Sequence, residues 1–182
     1  MASRVRVYMA CSLDGFIAGP NDDLAFLSDP APATEASSQG LDFANFLSQV
    51  GAMLMGRRTH DVVAGLGAWP YGETPVLVAT NRPLDNAAAE TVRAVQGDIG
   101  SLIRQAQEAS GSRDVYVDGG TLVRQALDAA LVDELCITLV PVLLGGDGVK
   151  LFDGLLSTTK LVFTEHHTVE GGMVQIVARP RT

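Results

Sequence analysis

The chain has 182 residues, of which 47% are hydrophobic and 19% charged, and its formal net charge is −8. A chain of this length suits one domain, residues 1–182, that buries a full core without disulfide or metal staples. The acidic balance argues against a nucleic-acid or anionic-membrane binder, since such proteins present a basic face.

The two cysteines, Cys11 and Cys136, both lie within apolar runs. This placement predicts small core residues of a reduced protein rather than a disulfide or a metal site. No apolar run approaches the ~20 residues of a membrane span, and the N-terminus lacks the apolar segment of a signal peptide. We therefore expect a cytoplasmic protein that binds no metal, membrane or nucleic acid.

The first part of the chain alternates apolar runs with amphipathic segments. Residues 5–11 are predicted as a strand that ends in a turn, and residues 19–40 form a long loop rich in Pro, Asp, Ser and Ala. Residues 43–50 place apolar side chains at i, i+3, i+4 and i+7. This spacing predicts a helix, which leads into a strand at residues 52–56.

The rest of the chain continues this alternation and then breaks it. Two further apolar runs and two segments with helical spacing follow, at residues 75–79, 99–106, 115–117 and 122–131. The alternation predicts a largely parallel central sheet. Three strands without intervening helices come last, at residues 134–144, 161–168 and 173–179. We therefore expect an α/β domain whose sheet ends in antiparallel strands.

Three of the predicted strands end in small or cationic residues where a helix or turn begins. These turns are Gly56-Arg57-Arg58-Thr59, Thr80-Asn81-Arg82-Pro83 and Gly119-Gly120-Thr121. A free helix N-terminus offers unpaired N–H groups and a positive dipole end, which together bind phosphate. Three such turns on one sheet predict an elongated, multiply phosphorylated ligand, such as a dinucleotide, at the carboxyl edge of the sheet.

Five motifs, in order, resemble a known family. They are Ser12-Leu13-Asp14-Gly15-Phe16-Ile17-Ala18-Gly19, Gly56-Arg57-Arg58-Thr59, Val117-Asp118-Gly119-Gly120, Leu131-Val132-Asp133-Glu134-Leu135 and Pro141-Val142-Leu143-Leu144-Gly145. Together they are similar to the reductase domain of the bifunctional deaminase-reductase of riboflavin biosynthesis, in its stand-alone form. The resemblance covers essentially the whole chain. It implies a dihydrofolate reductase-like three-layer α/β fold, an NADPH site, hydride-transfer chemistry and commonly a homodimer. Independently of the resemblance, an exposed part of the apolar strand at residues 135–144 is a candidate dimer surface.

The first turn has residues that suit the phosphates of NADPH. Gly56 lets the backbone approach closely, and Thr59 offers a hydroxyl and an N–H to the pyrophosphate. Arg57 is the candidate for the 2′-phosphate, because a guanidinium makes paired, charge-assisted bonds to phosphate oxygens. Arg58 either joins it or faces solvent, and His60 is expected on the helix surface.

The other two turns are expected at the adenosine end and at the pyrophosphate. We expect Thr80, Asn81 and Arg82 to contact the adenosine end of the cofactor. Their hydroxyl, amide and guanidinium groups favour NADPH over NADH. A turn that merely ends a strand is the alternative. We expect Gly119, Gly120 and Thr121 to contact the pyrophosphate, because this turn has no bulky side chain to keep its backbone N–H groups away from phosphate.

Hydride transfer often needs a proton source, and a carboxyl group whose pKa is raised by desolvation suits that role near neutral pH. The candidates are Asp23 and Asp118. Asp23 begins a segment, Asp23-Leu24-Ala25-Phe26, that is similar to the acid-bearing helix of dihydrofolate reductases. A helix N-cap is the alternative for Asp23. Asp118 lies at the carboxyl edge of the sheet, within reach of the nicotinamide or the substrate.

Residues near these acids are candidates for the walls of a substrate pocket: Asp14, Phe16, Ile17, Phe26 and Trp69. The apolar and aromatic members would supply a lid and a flat wall for a planar substrate. Ordinary core packing is the alternative for most of them, and a structural turn is the alternative for Asp14.

The sequence thus favours an NADPH-dependent reductase of a small heterocyclic or carbonyl-type substrate, with a pyrimidine intermediate of riboflavin biosynthesis and dihydrofolate as candidate acceptors. A hypothesis of a different class is a catalytically silent NADP(H)-binding or sensing module. Both hypotheses predict NADPH binding. Only the first predicts that a substrate drives NADPH oxidation.

Overall fold

Strands and helices alternate in the computed structural model, which describes residues 3–28, 40–84 and 87–181. The strands are β1 (Val5–Ser12), β2 (Phe16–Ala18), β3 (Val50–Gly56), β4 (Val76–Ala79), β5 (Val92–Val95), β6 (Asp114–Asp118), β7 (Glu134–Val140), β8 (Val149–Lys150), β9 (Leu161–Val169) and β10 (Met173–Pro180). The helices are α1 (Phe43–Gln49), α2 (Arg57–Gly65), α3 (Ile99–Ser110) and α4 (Gly120–Asp128). Within these ranges, no helix has the length and hydropathy needed to cross a membrane.

The strands form an eight-stranded sheet in the order β5-β4-β3-β6-β1-β7-β10-β9. From β5 to β7 all neighbours run parallel, whereas β10 is antiparallel to both β7 and β9. This arrangement confirms the predicted α/β fold with a mostly parallel sheet and antiparallel C-terminal strands. The predicted strand at residues 134–144 is shorter, because β7 ends at Val140 before Pro141.

Helices cover both faces of the sheet and make three layers. Residues of β3 show this directly, since Ala52 and Leu54 pack with side chains of α3 and α4, while Met53 and Met55 pack with Phe46 of α1. A parallel strand covered on both faces is expected to be a continuous apolar run, and β3 is one. The carboxyl ends of β4, β3, β6 and β1 therefore come together at one edge of a rigid sheet.

The four helices begin in two different ways. The side chain of Asp42 accepts a hydrogen bond from the backbone N–H of Asn45 at the start of α1, and Asp98 does the same for Ser101 at the start of α3. Helices α2 and α4 begin directly at Gly56 and Gly119 and have no side-chain cap. Their first N–H groups thus remain available to a ligand.

Two small strands and one edge strand were not expected from the sequence. β2 and β8 pair as a separate two-stranded ribbon, and they lie far apart in the chain. β5 (Val92–Val95) has just two buried residues, one at each end. Residues 19–28 of the predicted loop contain two 3-10 turns, and residues 29–39 lie outside the described ranges.

A buried ion cluster joins β1, β6 and β7 at the amino edge of the sheet. Arg6 and Glu134 are 4% and 5% exposed, and Arg6 Nη2 lies 2.6 Å from Glu134 Oε1. The second oxygen of Glu134 lies 3.4 Å from Arg4 Nη1 and 3.0 Å from Arg179 Nη2. Asp114 Oδ2 completes the cluster at 3.3 Å from Arg6 Nη1.

Removing one partner of this cluster should be costly, because the charge of Arg6 would stay buried. We expect Glu134→Gln to lower the free energy of unfolding by about 3 kcal/mol, measured by urea denaturation. Glu108 is an exposed residue of α3, so Glu108→Gln is the matched control and should change stability by less than about 0.5 kcal/mol. Equal effects of the two substitutions would contradict a structural role for the cluster.

Candidate functional site

Two adjoining cavities lie at the carboxyl edge of the sheet. The larger has a volume of about 450 Å³ and reaches the ends of β1, β3 and β6. The smaller, of about 230 Å³, lies beyond the end of β4, and both are lined by Thr121 and Leu122. An elongated ligand thus has a continuous path across three neighbouring strand ends.

The uncapped ends of α2 and α4 meet beside the larger cavity. Gly119 has φ = 102°, and a Cβ atom built on it would lie 2.9 Å from Thr59 Oγ1 and 3.4 Å from the Gly56 nitrogen. Only glycine fits this conformation and this distance without displacing its neighbours. Two helix N-termini with free N–H groups therefore face one space, which fits the pyrophosphate of a dinucleotide.

Nine of the ten residues predicted to bind the cofactor line one of the cavities. The larger cavity is lined by the residues of the first and third turns: Gly56, Arg57, Arg58, Thr59, Gly119, Gly120 and Thr121. The smaller is lined by Thr80 and Asn81, together with Thr121, Gln96 and Gln125. Arg82 lines neither cavity. It is exposed, and its backbone N–H donates to Thr80 Oγ1 at 3.1 Å.

Both arginines at the start of α2 are held by carboxylates. Arg57 Nε lies 2.8 Å from Asp61 Oδ1, and its Nη1 donates to the Pro83 carbonyl oxygen at 2.9 Å. Arg58 Nε lies 2.6 Å from Asp22 Oδ1, and both residues line the larger cavity. The expectation for His60 was wrong, because its side chain is 2% exposed.

Asp118 is the buried acid of the larger cavity. It is 8% exposed, and desolvation raises its pKa to about 6, although the Gly119 N–H and the nearby Tyr116 hydroxyl act in the opposite direction. Tyr116 lies two residues earlier on β6 and lines the same cavity, and its hydroxyl also lies 2.8 Å from the Tyr8 carbonyl oxygen. A protonated carboxyl group near neutral pH can donate a proton to a bound substrate.

Asp23 lies beside the larger cavity, although Asp22, Leu24 and Leu27 line it. The Asp23 side chain is exposed and accepts a hydrogen bond from the Ala25 N–H at 3.0 Å. No α-helix begins at this point, since residues 25–27 form a 3-10 turn. Phe26, in that turn, is half-buried and is not among the lining residues.

Asp14 connects two loops and is not among the residues that line the larger cavity. Its carboxylate accepts hydrogen bonds from the Ser12 hydroxyl at 2.6 Å and from the Leu144 and Gly145 N–H groups at 3.1 and 2.8 Å. These bonds, led by that of Ser12, lower the pKa of Asp14 to about 2. The turn after β1 is thereby joined to the loop after β7.

The other predicted wall residues divide between the cavity and the core. Ile17 of β2 lines the larger cavity, whereas Phe16 is 3% exposed and packs under Lys150, whose Nζ is 4.9 Å from the ring centre. Trp69 packs against Tyr71, with ring centres 5.0 Å apart. Leu27, a further apolar residue of the predicted wall, lines the cavity. Residues that the sequence reasoning missed also line it: Tyr8, Met9, Ala10, Ala18, Asp22, Leu24, Val62, Val63, Ala79, Tyr116, Leu122 and Val149.

Comparison with known proteins places this chain in a family. The family model for the RibD C-terminal domain matches residues 68–175, which is more than half of the sequence. The chain belongs to the RibD C-terminal domain family. A Shewanella sp. PV-4 protein assigned to riboflavin biosynthesis is 31% identical, with a TM-score of 0.84 over 98% of this chain and 99% of its own.

Two more distant structures share the fold. The Thermotoga maritima diaminohydroxyphosphoribosylaminopyrimidine deaminase/5-amino-6-(5-phosphoribosylamino)uracil reductase is 15% identical, with a TM-score of 0.64 over 99% of this chain and 57% of its own. Dihydrofolate reductase from Enterococcus faecalis, solved with NADP(H), is 17% identical, with a TM-score of 0.64 over 100% of this chain and 99% of its own. These similarities confirm the dihydrofolate reductase-like fold. Membership of the RibD C-terminal domain family supports a reductase-type function.

The buried carboxyl group of Asp118 should make stability depend on pH. Its pKa in the folded protein is about 6, above the ordinary value of 3.8, so its favourable contribution is present below about pH 4 and lost as pH rises through about 6. Asn carries no charge at either pH, so Asp118→Asn avoids the cost of a buried carboxylate at pH 8. We expect the difference in free energy of unfolding, Asp118→Asn minus wild type, to be more positive at pH 8 than at pH 4 by up to about 3 kcal/mol.

Urea denaturation at the two pH values measures this difference. Asp147 is exposed in the loop after β7, so Asp147→Asn is the matched control and should have the same effect at both pH values. If the free energies of unfolding of the wild type and Asp118→Asn differ by the same amount at both pH values, the raised pKa of Asp118 is contradicted.

Proposed function

We propose that this chain is an NADPH-dependent reductase that transfers hydride to a small heterocyclic or carbonyl-type substrate. The observation that carries the proposal is the presence, at one cavity, of two uncapped helix N-termini and a buried carboxyl group. The helix ends suit the phosphates of a dinucleotide. The carboxyl group suits protonation of the reduced substrate.

The cofactor assignments follow the cavities. When bound, NADPH supplies a hydride from its nicotinamide ring. In this proposal Gly56, Thr59 and the Gly119-Gly120 turn hold the pyrophosphate, and Arg57 bonds the 2′-phosphate in place of part of its contact with Asp61. The smaller cavity then receives the adenosine, with the polar side chains of Thr80, Asn81, Gln96 and Gln125 around it.

Asp118 is proposed as the proton donor. It lines the larger cavity and is buried, so its pKa lies close to the pH at which a general acid works best. Asp23 is the second candidate, and its exposed position favours Asp118. In this mechanism the carboxyl proton of Asp118 passes to the nitrogen or oxygen atom next to the carbon that accepts the hydride.

We also propose that the chain forms a homodimer through the sheet face beside α4. On this face, strands β7, β10 and β9 present apolar side chains that the described helices leave partly uncovered: Ile137, Leu139, Leu161, Phe163, Val174 and Ile176. Phe163 is 67% exposed and Val174 is 38% exposed. An exposed apolar patch of this kind typically marks a protein interface, and a twofold axis would pair it with itself.

The enzymatic proposal is tested by measuring NADPH oxidation by absorbance with different acceptors. The acceptors are dihydrofolate, a pyrimidine riboside and a panel of aldehydes and ketones. For the best acceptor, we expect the wild-type kcat to fall as pH rises above about 6, since Asp118 then loses its proton. Asp118→Asn should lower kcat by about 10²-fold or more while the Kd for NADPH changes little.

The same assay decides between the competing assignments. If Asp23 delivers the proton, Asp23→Asn rather than Asp118→Asn will lower kcat and alter the pH profile. Tight NADPH binding with no oxidation by any acceptor would contradict the reductase and favour a silent binding or sensing module.

A charged residue in the apolar sheet face should prevent dimer formation. We expect light scattering to give twice the chain mass for the wild type and the chain mass for Phe163→Glu, because a buried carboxylate without a partner is unfavourable. Phe152 is also exposed but lies outside β9 and β10, so Phe152→Glu is the matched control and should remain dimeric. A monomeric wild type would contradict the proposal.

A further inference from the structure

The position of every cationic Lys and Arg side chain in this protein is described. The sequence has 13 lysines and arginines, and all of them lie within residues 3–28, 40–84 and 87–181. Among the residues that line the larger cavity, the cations are Arg57 and Arg58. This distribution limits which anions the cavity can accept in addition to a dinucleotide.

Both of these cations lie at the start of α2, on the side assigned to the cofactor phosphates. Arg58 is paired with Asp22, and Arg57 is paired with Asp61. Two further cations lie near the cavity and are held elsewhere. Arg124 Nη1 donates to the Lys150 and Leu151 carbonyl oxygens, and the Lys150 ammonium lies over the Phe16 ring.

The rest of the larger cavity is apolar or acidic. Its wall on β1 and on the loop after β2 includes Tyr8, Met9, Ala10, Leu24 and Leu27, and Asp118 lies at its base. The described part of the loop after β2, residues 19–28, contains Asp22 and Asp23 and no lysine or arginine.

A second phosphate in this part of the cavity would therefore be unfavourable. It would leave water for an apolar wall, and Arg58, the lining cation that is not assigned to a cofactor phosphate, already pairs with Asp22. Phosphate-binding sites in proteins usually supply arginine, lysine or free backbone N–H groups. Here the uncapped helix ends that could do so face the space assigned to the pyrophosphate.

We infer that the hydride acceptor is a heterocycle or carbonyl compound that carries no phosphate or carboxylate group. The inference rests on the proposed function and names its substrate class. Hydride adds to the electrophilic carbon of a C=N or C=O bond, and the π-electron pair of that bond moves to the nitrogen or oxygen atom. That atom takes the carboxyl proton of Asp118, and the hydride donor leaves as its oxidised form.

Matched pairs of acceptors that differ in one anionic group test the inference. Suitable pairs are a pyrimidine riboside with its 5′-phosphate and methyl 4-formylbenzoate with 4-formylbenzoate. With the full chain saturated with NADP⁺, calorimetry gives a Kd for each compound, so the test does not depend on turnover. We expect the uncharged member of each pair to bind at least about tenfold more tightly.

Equal or tighter binding of the anionic members would overturn the inference, as would failure of every uncharged member to bind. Failure of the proposed function has a different signature, because NADPH is then not oxidised even when the uncharged members bind. The kcat/KM ratio within each pair gives a second readout where turnover occurs.

A substitution that adds a cation tests whether the lack of a cation in this part of the cavity disfavours anionic acceptors. Leu27 lines the cavity and is 43% exposed, so Leu27→Arg would place a guanidinium near the bound acceptor. We expect this change to shift the Kd ratio within each pair toward the anionic member by about tenfold. Leu27→Gln, a polar side chain without charge, is the matched control and should leave the ratio unchanged. If Leu27→Arg leaves the Kd ratio within each pair unchanged, the lack of a cation is not the reason that anionic acceptors bind weakly.

Discussion

The close approach of two backbone turns determines how the candidate site is built. Gly119 packs against Gly56 and Thr59 so tightly that no side chain fits at its Cα atom. Helices α2 and α4 therefore begin side by side, with the positive ends of both dipoles at one cavity. Like ends repel each other, and an anion between them relieves that repulsion. The proposed dinucleotide would thus stabilise the fold as well as supply the hydride.

Two buried carboxyl groups show how differently the two edges of the sheet are used. Glu134 at the amino edge is bonded to Arg6 and Arg179, so its charge is compensated and the cluster holds three strands together. Asp118 at the carboxyl edge takes part in none of the ion pairs found among the described residues. No cation offsets its desolvation, and the Gly119 N–H offsets it only in part, so its pKa stays raised, at about 6.

The sequence correctly predicts those elements whose residue pattern matches their surroundings in the folded protein. β3 is a continuous apolar run because both of its faces are covered, and the turns after β3, β4 and β6 meet because parallel strands end at the same edge. The ribbon of β2 and β8 depends on pairing between distant segments, which no local pattern records. Tyr116 could have been found, since alternation along β6 places it on the same face as Asp118. The position of Asp23 could not, because it depends on how the loop after β2 turns.

The central position of β1 has a consequence for folding on the ribosome. β1 comes before β6 and β7 in the chain, yet these two strands are its neighbours in the sheet, with Val5 opposite Val115 and Arg6 opposite Glu134. Such long-range pairing slows folding, since a large loop must close before any contact forms. During synthesis β1 therefore has both edges unpaired until β6 and β7 emerge. Its apolar residues lack their native neighbours for that whole interval, and unpaired strand edges of this kind are prone to aggregation.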